Sequence, residues 1–230
     1  MAKRCLVVDL DRCSGCQSCI VACKFENNIA LGNYWVDVVN VDPAGAHPDI
    51  DMYWVPVQCQ QCEDAPCIAV CPTGAAYRDS DNGVVLIDKE TCIGCKTCVG
   101  QGGCPYSDPT ASMRPSVRWL NTAENKMEKC TLCNHLTAAS DGIENVKDTT
   151  DAKHAVPPCV HNCSCKARYY GDLDDPASGA SVAIAEAEKA GKGVYTIEAS
   201  NAKPATKYIL SKEIASWRGL GDKVVTKALD

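Results

Sequence analysis

Two stretches of the chain carry the same run of apolar positions followed by the same polar turn. "LVVDLDRCSGCQSC", residues 6–19, lines up with "VLIDKETCIGCKTC", residues 85–98, placing Asp9 on Asp88, Cys13 on Cys92 and Gly15 on Gly94. Each is a short run of Val, Leu and Ile of the kind that forms a strand, and each delivers its cysteines at a turn. "SVAIAEAEKAGK", residues 181–192, has helical patterning and predicts a helix ending near Gly191 or Gly193. "SKEIASWRGL" sets Ile214, Trp217 and Leu220 at helical spacing. From Asn134 to Pro158 the chain is polar without strong periodicity and reads as a surface loop.

Composition changes the picture. The chain has 230 residues, 18 cysteines and a single phenylalanine. A core so poor in large aromatics needs staples, either disulfides or metal centres. The net charge of -6 argues against a nucleic-acid partner. No apolar run approaches a membrane span, and the start "MAKRCLVVDLDRC" has neither a signal peptide's apolar stretch nor a twin-arginine signal. The expectation is a soluble chain, cytoplasmic or exported together with a partner.

Sixteen cysteines fall into four groups: Cys13, Cys16, Cys19 and Cys23; Cys59, Cys62, Cys67 and Cys71; Cys92, Cys95, Cys98 and Cys104; and Cys130, Cys133, Cys159 and Cys163. Cys5 and Cys165 are left over. The first and third groups share one pattern. The second and fourth share another: C-x2-C, a gap, Pro-Cys (Pro66 and Pro158), three residues, then Cys. The order is therefore A, B, A′, B′, an internal repeat.

Disulfides fit poorly, because cysteines two apart in a tight turn do not bridge well. Zinc favours paired C-x2-C knuckles and has no use for a third cysteine two residues further on. An iron-sulfur cubane does: C-x2-C-x2-C directs three thiolates at three corners, and the fourth corner is ligated from afar. In two-cluster ferredoxins the fourth cysteine of each run crosses to the other cluster. The five-residue gap before Cys104 is then set by the path between two clusters, and Gly100, Gly102 and Gly103 let the backbone pass close. Pro105 and Pro72 follow their cysteines as in the ferredoxin run.

On these residues the chain resembles the four-cluster iron-sulfur subunit of molybdenum or tungsten oxidoreductases of the dimethyl sulfoxide reductase superfamily. The resemblance covers about residues 4–210. It rests on the four ordered groups, "CPTGA" at 71–75, "KCTLC" at 129–133, "RYYGDLDDPAS" at 168–178 and "KPATKYIL" at 203–210. It implies a ligand assignment: Cys13, Cys16 and Cys19 closed by Cys163; Cys130, Cys133 and Cys159 closed by Cys23; Cys59, Cys62 and Cys67 closed by Cys104; and Cys92, Cys95 and Cys98 closed by Cys71. It implies an α+β fold of two ferredoxin-like [4Fe-4S] modules with long loops and a C-terminal tail. Residues 1–50 plus 121–175 would form the outer module, 51–120 the inserted inner one, and 176–230 a tail contacting the partner subunit.

The chain departs from the pattern twice. The gap before Cys104 holds five residues instead of the usual three, and the fourth group reads "CVHNCSC" where the family ends in Cys-Pro. Cys165 is therefore a substitute candidate for Cys163, which the family spacing favours. The "HNC" ending resembles the pyrogallol transhydroxylase and catechol dehydroxylase branch.

Other residues are read plainly. Cys5 is a small buried apolar side chain, His135 and His161 are surface neighbours of the cysteines, and Trp35, Trp54, Trp119 and Trp217 are packing or interface residues. Lys24, Lys96 and Lys129 flank the cysteine groups, either to offset cluster charge or as solvated lysines. No nucleotide fingerprint or nucleophile–base constellation stands out, so the expected role is non-catalytic. Four all-cysteine cubanes make a wire for single electrons. The resemblance puts a molybdopterin-bearing catalytic subunit at one end and a membrane quinone-reactive subunit or a soluble donor at the other. A free-standing polyferredoxin, or a structural subunit of a transhydroxylase-type enzyme without net redox change, is the alternative, with a structural zinc module behind both.

Overall fold

A computed structural model of the chain describes residues 3–100, 102–107, 116–138, 155–199, 201–211 and 224–227. The first repeated run forms β1 (Arg4–Asp9), in which Cys5, Leu6, Val7 and Val8 are wholly buried. The run is apolar on both faces because both are covered. Cys5 and Val7 pack with Ala180, Ala183 and Ile209, whereas Leu6 and Val8 face the cysteine-bearing cores.

β1 is the fourth strand of a five-stranded sheet. β8 (Arg168–Asp172) pairs with it antiparallel, Val7 opposite Tyr169, and β10 (Lys207–Leu210) pairs parallel, Val7 opposite Lys207. β9 (Gly193–Glu198) and β11 (Val224–Lys227) complete the order β11-β9-β10-β1-β8. α5 (Gly179–Lys189) covers one face. Ser178 caps it, its Oγ accepting the Ser181 N–H at 3.2 Å, and Gly191 follows its end with φ +74°. Within the expected tail, β9 and β10 join the chain's own sheet and α5 packs on one face of it. Ile214, Trp217 and Leu220 lie outside the described residues.

The rest of the chain carries the cysteines. α1 (Ser18–Glu26) runs on from the first cysteine turn. Three antiparallel pairs follow: β2 (Val36–Ala46) with β3 (Asp49–Gln58), β4 (Ala76–Arg78) with β5 (Val85–Ile87), and β6 (Arg118–Asn121) with β7 (Lys126–Lys129). The second repeated run forms β5. One-turn helices α2 (Pro66–Ala69) and α4 (Pro158–His161) start at the prolines of the Pro-Cys motifs, where a missing N–H costs nothing. α3 (Asn134–Thr137) occupies the start of the expected loop, and residues 139–154 lie outside the described residues. The mixture of helix and sheet is α+β. Among the described residues no helix is long and apolar enough to cross a membrane.

Candidate metal centres

The two C-x2-C-x2-C turns share one backbone conformation. Gly15 and Gln17 in the first, and Gly94 and Lys96 in the second, all have φ between 61° and 70°. The glycines are required twice over. A Cβ on Gly15 would strike the Trp54 ring, and one on Gly94 the Asn125 backbone oxygen. The C-x2-C turns of the other two groups also use a left-handed residue, Gln61 at φ 51° and Leu132 at φ 52°.

Each turn leaves its middle thiol at the surface. Cys16 and Cys95 are exposed, while Cys19 and Cys98 are buried. Cys16 Sγ lies 3.4 Å from Ser18 Oγ, and Cys95 Sγ lies 3.2 Å from Thr97 Oγ1. The Ser18 hydroxyl lowers the Cys16 pKa. Backbone amides approach three other thiols: Met127 N–H to Cys92 Sγ and Ala76 N–H to Cys71 Sγ, both at 3.4 Å, and Ala167 N–H to Cys163 Sγ at 3.3 Å. Such donors favour the thiolate.

The fourth cysteine of each group lies near thiols of another group. Cys71 lines one small cavity together with Cys92, Cys95 and Cys98. Burial does most to raise the Cys104 thiol to about 11, and Cys59 and Cys67 raise it further. Cys23 is raised chiefly by burial, then by Cys130, Cys159 and Cys133. Burial also raises Cys13, and Cys163 and Cys16 add to it. Cys163 is buried, whereas Cys165 is half-exposed, its Sγ 3.1 Å from Ser14 Oγ.

Thiols of different groups also act on one another. Cys19 stands at about 11, raised chiefly by burial, with Cys159 among the further causes. Cys130 stands at about 12, raised chiefly by burial and then by Cys159 and Cys59. Burial also raises Cys98, with Cys67 a smaller cause.

Two arginines missed by the sequence reading lie buried near these thiols. Arg118 and Arg168 are each 2% exposed. Arg118 lines the cavity of Cys71, Cys92, Cys95 and Cys98, and the thiols that act on it most strongly are Cys67, Cys104, Cys98 and Cys59. Its Nε, Nη1 and Nη2 are buried without a complete hydrogen bond, although the guanidinium is close enough to Cys98 to pull that thiol's pKa down against burial. Arg168 Nη2 donates to Gln58 Oε1 at 3.1 Å and points at Cys159 Sγ at 3.7 Å, while its Nε and Nη1 have no partner. The only hint in the sequence was position, each arginine following a cysteine group in a short strand.

The remaining flanking residues differ among themselves. Lys129 is buried and donates to the carbonyls of Val85 and Cys130. Lys24 donates to the carbonyls of Ala30 and Asn33 and lies 4.6 Å from the Tyr34 ring centroid, and Lys96 is exposed. His135 Nε2 meets Glu26 Oε1 at 2.8 Å, a carboxylate and not a sulfur. Cys5 is sealed inside the sheet, its thiol pushed up by burial to about 12.

A soft all-sulfur donor set, a foursome of thiols lining one cavity and buried cations with unmet N–H groups fit iron-sulfur clusters. Among the described residues no three His, Cys, Asp or Glu side chains are arranged to hold a single metal ion.

Comparison with known proteins points the same way. Residues 50–173 match the model of the 4Fe-4S dicluster domain. A Halobacterium salinarum protein carrying the provisional name of a dimethyl sulfoxide reductase iron-sulfur subunit is 36% identical over 98% of this chain and 85% of its own length. A sulfite dehydrogenase subunit of Allochromatium vinosum is 34% identical over 91% of this chain and 83% of its own. The thiosulfate reductase electron transfer subunit of Salmonella typhi is 39% identical over 73% of this chain and 74% of its own.

Proposed function

Because the chain belongs to the iron-sulfur subunits of the dimethyl sulfoxide reductase family of oxidoreductases, we propose that it carries four [4Fe-4S] clusters relaying single electrons to or from a molybdopterin-bearing catalytic subunit. Its own role is electron transfer, and the substrate chemistry belongs to the partner.

The proposed ligands are Cys13, Cys16, Cys19 and Cys163; Cys23, Cys130, Cys133 and Cys159; Cys59, Cys62, Cys67 and Cys104; and Cys71, Cys92, Cys95 and Cys98. Residues 1–50 with 121–175 form the outer ferredoxin-like module around an inner one at 51–120. Bound clusters supply one-electron redox chemistry, and everything else is the work of the chain. The left-handed turns aim the thiols, the amides of Met127, Ala76 and Ala167 donate to the sulfurs of Cys92, Cys71 and Cys163, and the burial of most of the sulfurs excludes water.

The thiols that act across groups support the order Cys13 set, Cys130 set, Cys59 set, Cys92 set, whose two end sets are the ones with exposed thiols, Cys16 and Cys95. Exposed apolar side chains lie near each in sequence: Val21 and Phe25 after Cys16, and Ile93 before Cys95. These are the places where electrons enter and leave. The catalytic subunit occupies one, and a membrane quinone-reactive subunit or a soluble donor the other. Residues beyond 211 contribute contacts to the catalytic partner.

The observation that carries the reading is the shared cavity of Cys71 with Cys92, Cys95 and Cys98, thiols more than twenty residues apart in sequence converging on one space. Anaerobic purification tests it. The protein emerges brown, with about sixteen irons, four per cluster, and with a large molybdenum or tungsten subunit attached. Zinc in place of iron, or a chain that purifies alone as a complete carrier, contradicts it.

A further inference from the structure

Arg118 and Arg168 have no counterpart in the electron-transfer account so far, yet they are the least expected side chains in the interior. Arginine is almost never fully buried unless paired. A buried cation without a partner is costly enough that its compensation must be found. Among the described residues no carboxylate is among the groups acting most strongly on either residue; those groups are thiols, with Tyr208 added at Arg168. Lys129 makes the contrast, since carbonyls satisfy its ammonium.

The thiols around each arginine come from two sets. Arg118 lines the cavity of Cys71, Cys92, Cys95 and Cys98, and the thiols acting most strongly on it are Cys67, Cys104 and Cys59 of one set and Cys98 of the other. Arg168 Nη2 lies 3.7 Å from Cys159 Sγ, and the thiols acting most strongly on it are Cys159 and Cys130 of one set and Cys19 of the other. Each guanidinium occupies the junction inside one pair of sets and neither reaches the other pair among its strongest neighbours. The planar fork suits this place, because its several N–H groups point to both sides at once.

We propose that Arg118 and Arg168 are positioning residues, each the shared buried counter-charge of one pair of clusters, holding up the reduction potentials of both members. Each cluster that accepts one electron from its neighbour or donor becomes one unit more negative. A fixed positive charge at the junction stabilises that state on whichever side the electron sits. Burial keeps solvent and salt from screening it. Hydrogen bonds and charge near the sulfurs are the levers by which a protein sets such potentials. The inference rests on the four-cluster reading.

The test is a redox titration monitored by electron paramagnetic resonance on the full chain, purified anaerobically with whatever subunit accompanies it. Arg118→Gln lowers both inner potentials and leaves the outer two unchanged; Arg168→Gln does the reverse. Arg118→Lys and Arg168→Lys, which keep the charge, lower them by less than half as much. Unmoved potentials in the glutamine variants overturn the proposal, as do equal shifts for lysine and glutamine. If a glutamine variant assembles no clusters, the lysine variant decides: full iron and near-native potentials support the proposal, whereas fallen potentials or lost iron overturn it. A wild-type protein without iron would instead overturn the four-cluster reading.

Discussion

The turn at Cys13–Cys19 and the turn at Cys92–Cys98 begin as copies and end differently. Both use a left-handed glycine and a left-handed residue two positions on, and both expose the middle thiol beside a hydroxyl. Both are entered through an aspartate that caps the approach, Asp9 Oδ1 accepting the Asp11 N–H at 3.0 Å and Asp88 Oδ1 the Glu90 N–H at 2.9 Å. After the first turn α1 continues and buries Cys23 one helical turn beyond Cys19. After the second, the described residues form no helix. Gly103 passes so close to the Cys98 backbone that a Cβ would collide with it, and the Cys104 N–H donates to the Cys98 oxygen at 2.8 Å. The turn chemistry fixes three thiols, and the following backbone alone decides where the fourth goes.

The two glycines offer the sharpest break in that likeness. Gly94→Ala must strain a left-handed position, about 1 kcal/mol, and meet a backbone oxygen that cannot swing away. Iron should fall from about sixteen to about twelve per chain. Gly15→Ala should behave similarly, but there the obstacle is the Trp54 side chain. Adding Trp54→Ala should restore iron to the Gly15 variant, whereas adding Asn125→Ala should not restore the Gly94 variant. Iron analysis of the four proteins checks this, and equal rescue of both would show that the turns are held alike.

A truncation separates the sheet from the proposed partner contact. Removing residues 205–230 takes away β10, with buried Tyr208, Ile209 and Leu210 beside β1. Three such side chains amount to on the order of 5 kcal/mol, so the first set should lose iron and the thermal midpoint should drop. Removing only residues 212–230 takes away the edge strand β11 but keeps β10 beside β1, so it should leave iron intact and weaken attachment of the large subunit, as read by co-purification.

What could be read from the chain beforehand was local. The strands before each turn, the helix at 181–192 and the grouping of cysteines all follow from short-range patterns. The sheet that joins β1 to β8 and β10 did not announce itself, because its partners lie more than 150 residues away and carry no periodicity that names one another. For the same reason the C-terminal stretch read as a tail. Trp54 looked like a scattered aromatic, and its seat on Gly15 appears only in three dimensions. Arg118 and Arg168 were hidden because arginine is expected at the surface, and the thiols around each come from distant parts of the chain.

The smallest effect concerns the end of the first strand. Asp11 meets Lys192 Nζ at 2.8 Å and accepts from Ser211 N–H and Oγ. Burial, the largest influence, raises its carboxyl pKa, but Lys192 and Ser211 outweigh it and hold the value below the usual 3.8. A depressed carboxylate stabilises the fold above its unfolded pKa and loses that contribution as pH falls through the folded value. Asp11→Asn should therefore cost about 0.5 kcal/mol or less at neutral pH, given solvent screening, and the difference from wild type should close below about pH 4. Paired denaturation curves at pH 7 and pH 3.5 check this. The first turn has this tie to β10, and no counterpart to it is seen behind the second turn among the described residues.

The crossing of the fourth cysteines is the central claim, and one experiment addresses it directly: an anaerobic cryo-electron map of the complex at a resolution that separates each cluster's ligands. Cys23 should be bound with Cys130, Cys133 and Cys159, Cys163 with Cys13, Cys16 and Cys19, Cys104 with Cys59, Cys62 and Cys67, and Cys71 with Cys92, Cys95 and Cys98. Density joining Cys23 to the cluster of Cys13, or Cys104 to that of Cys98, would contradict the account.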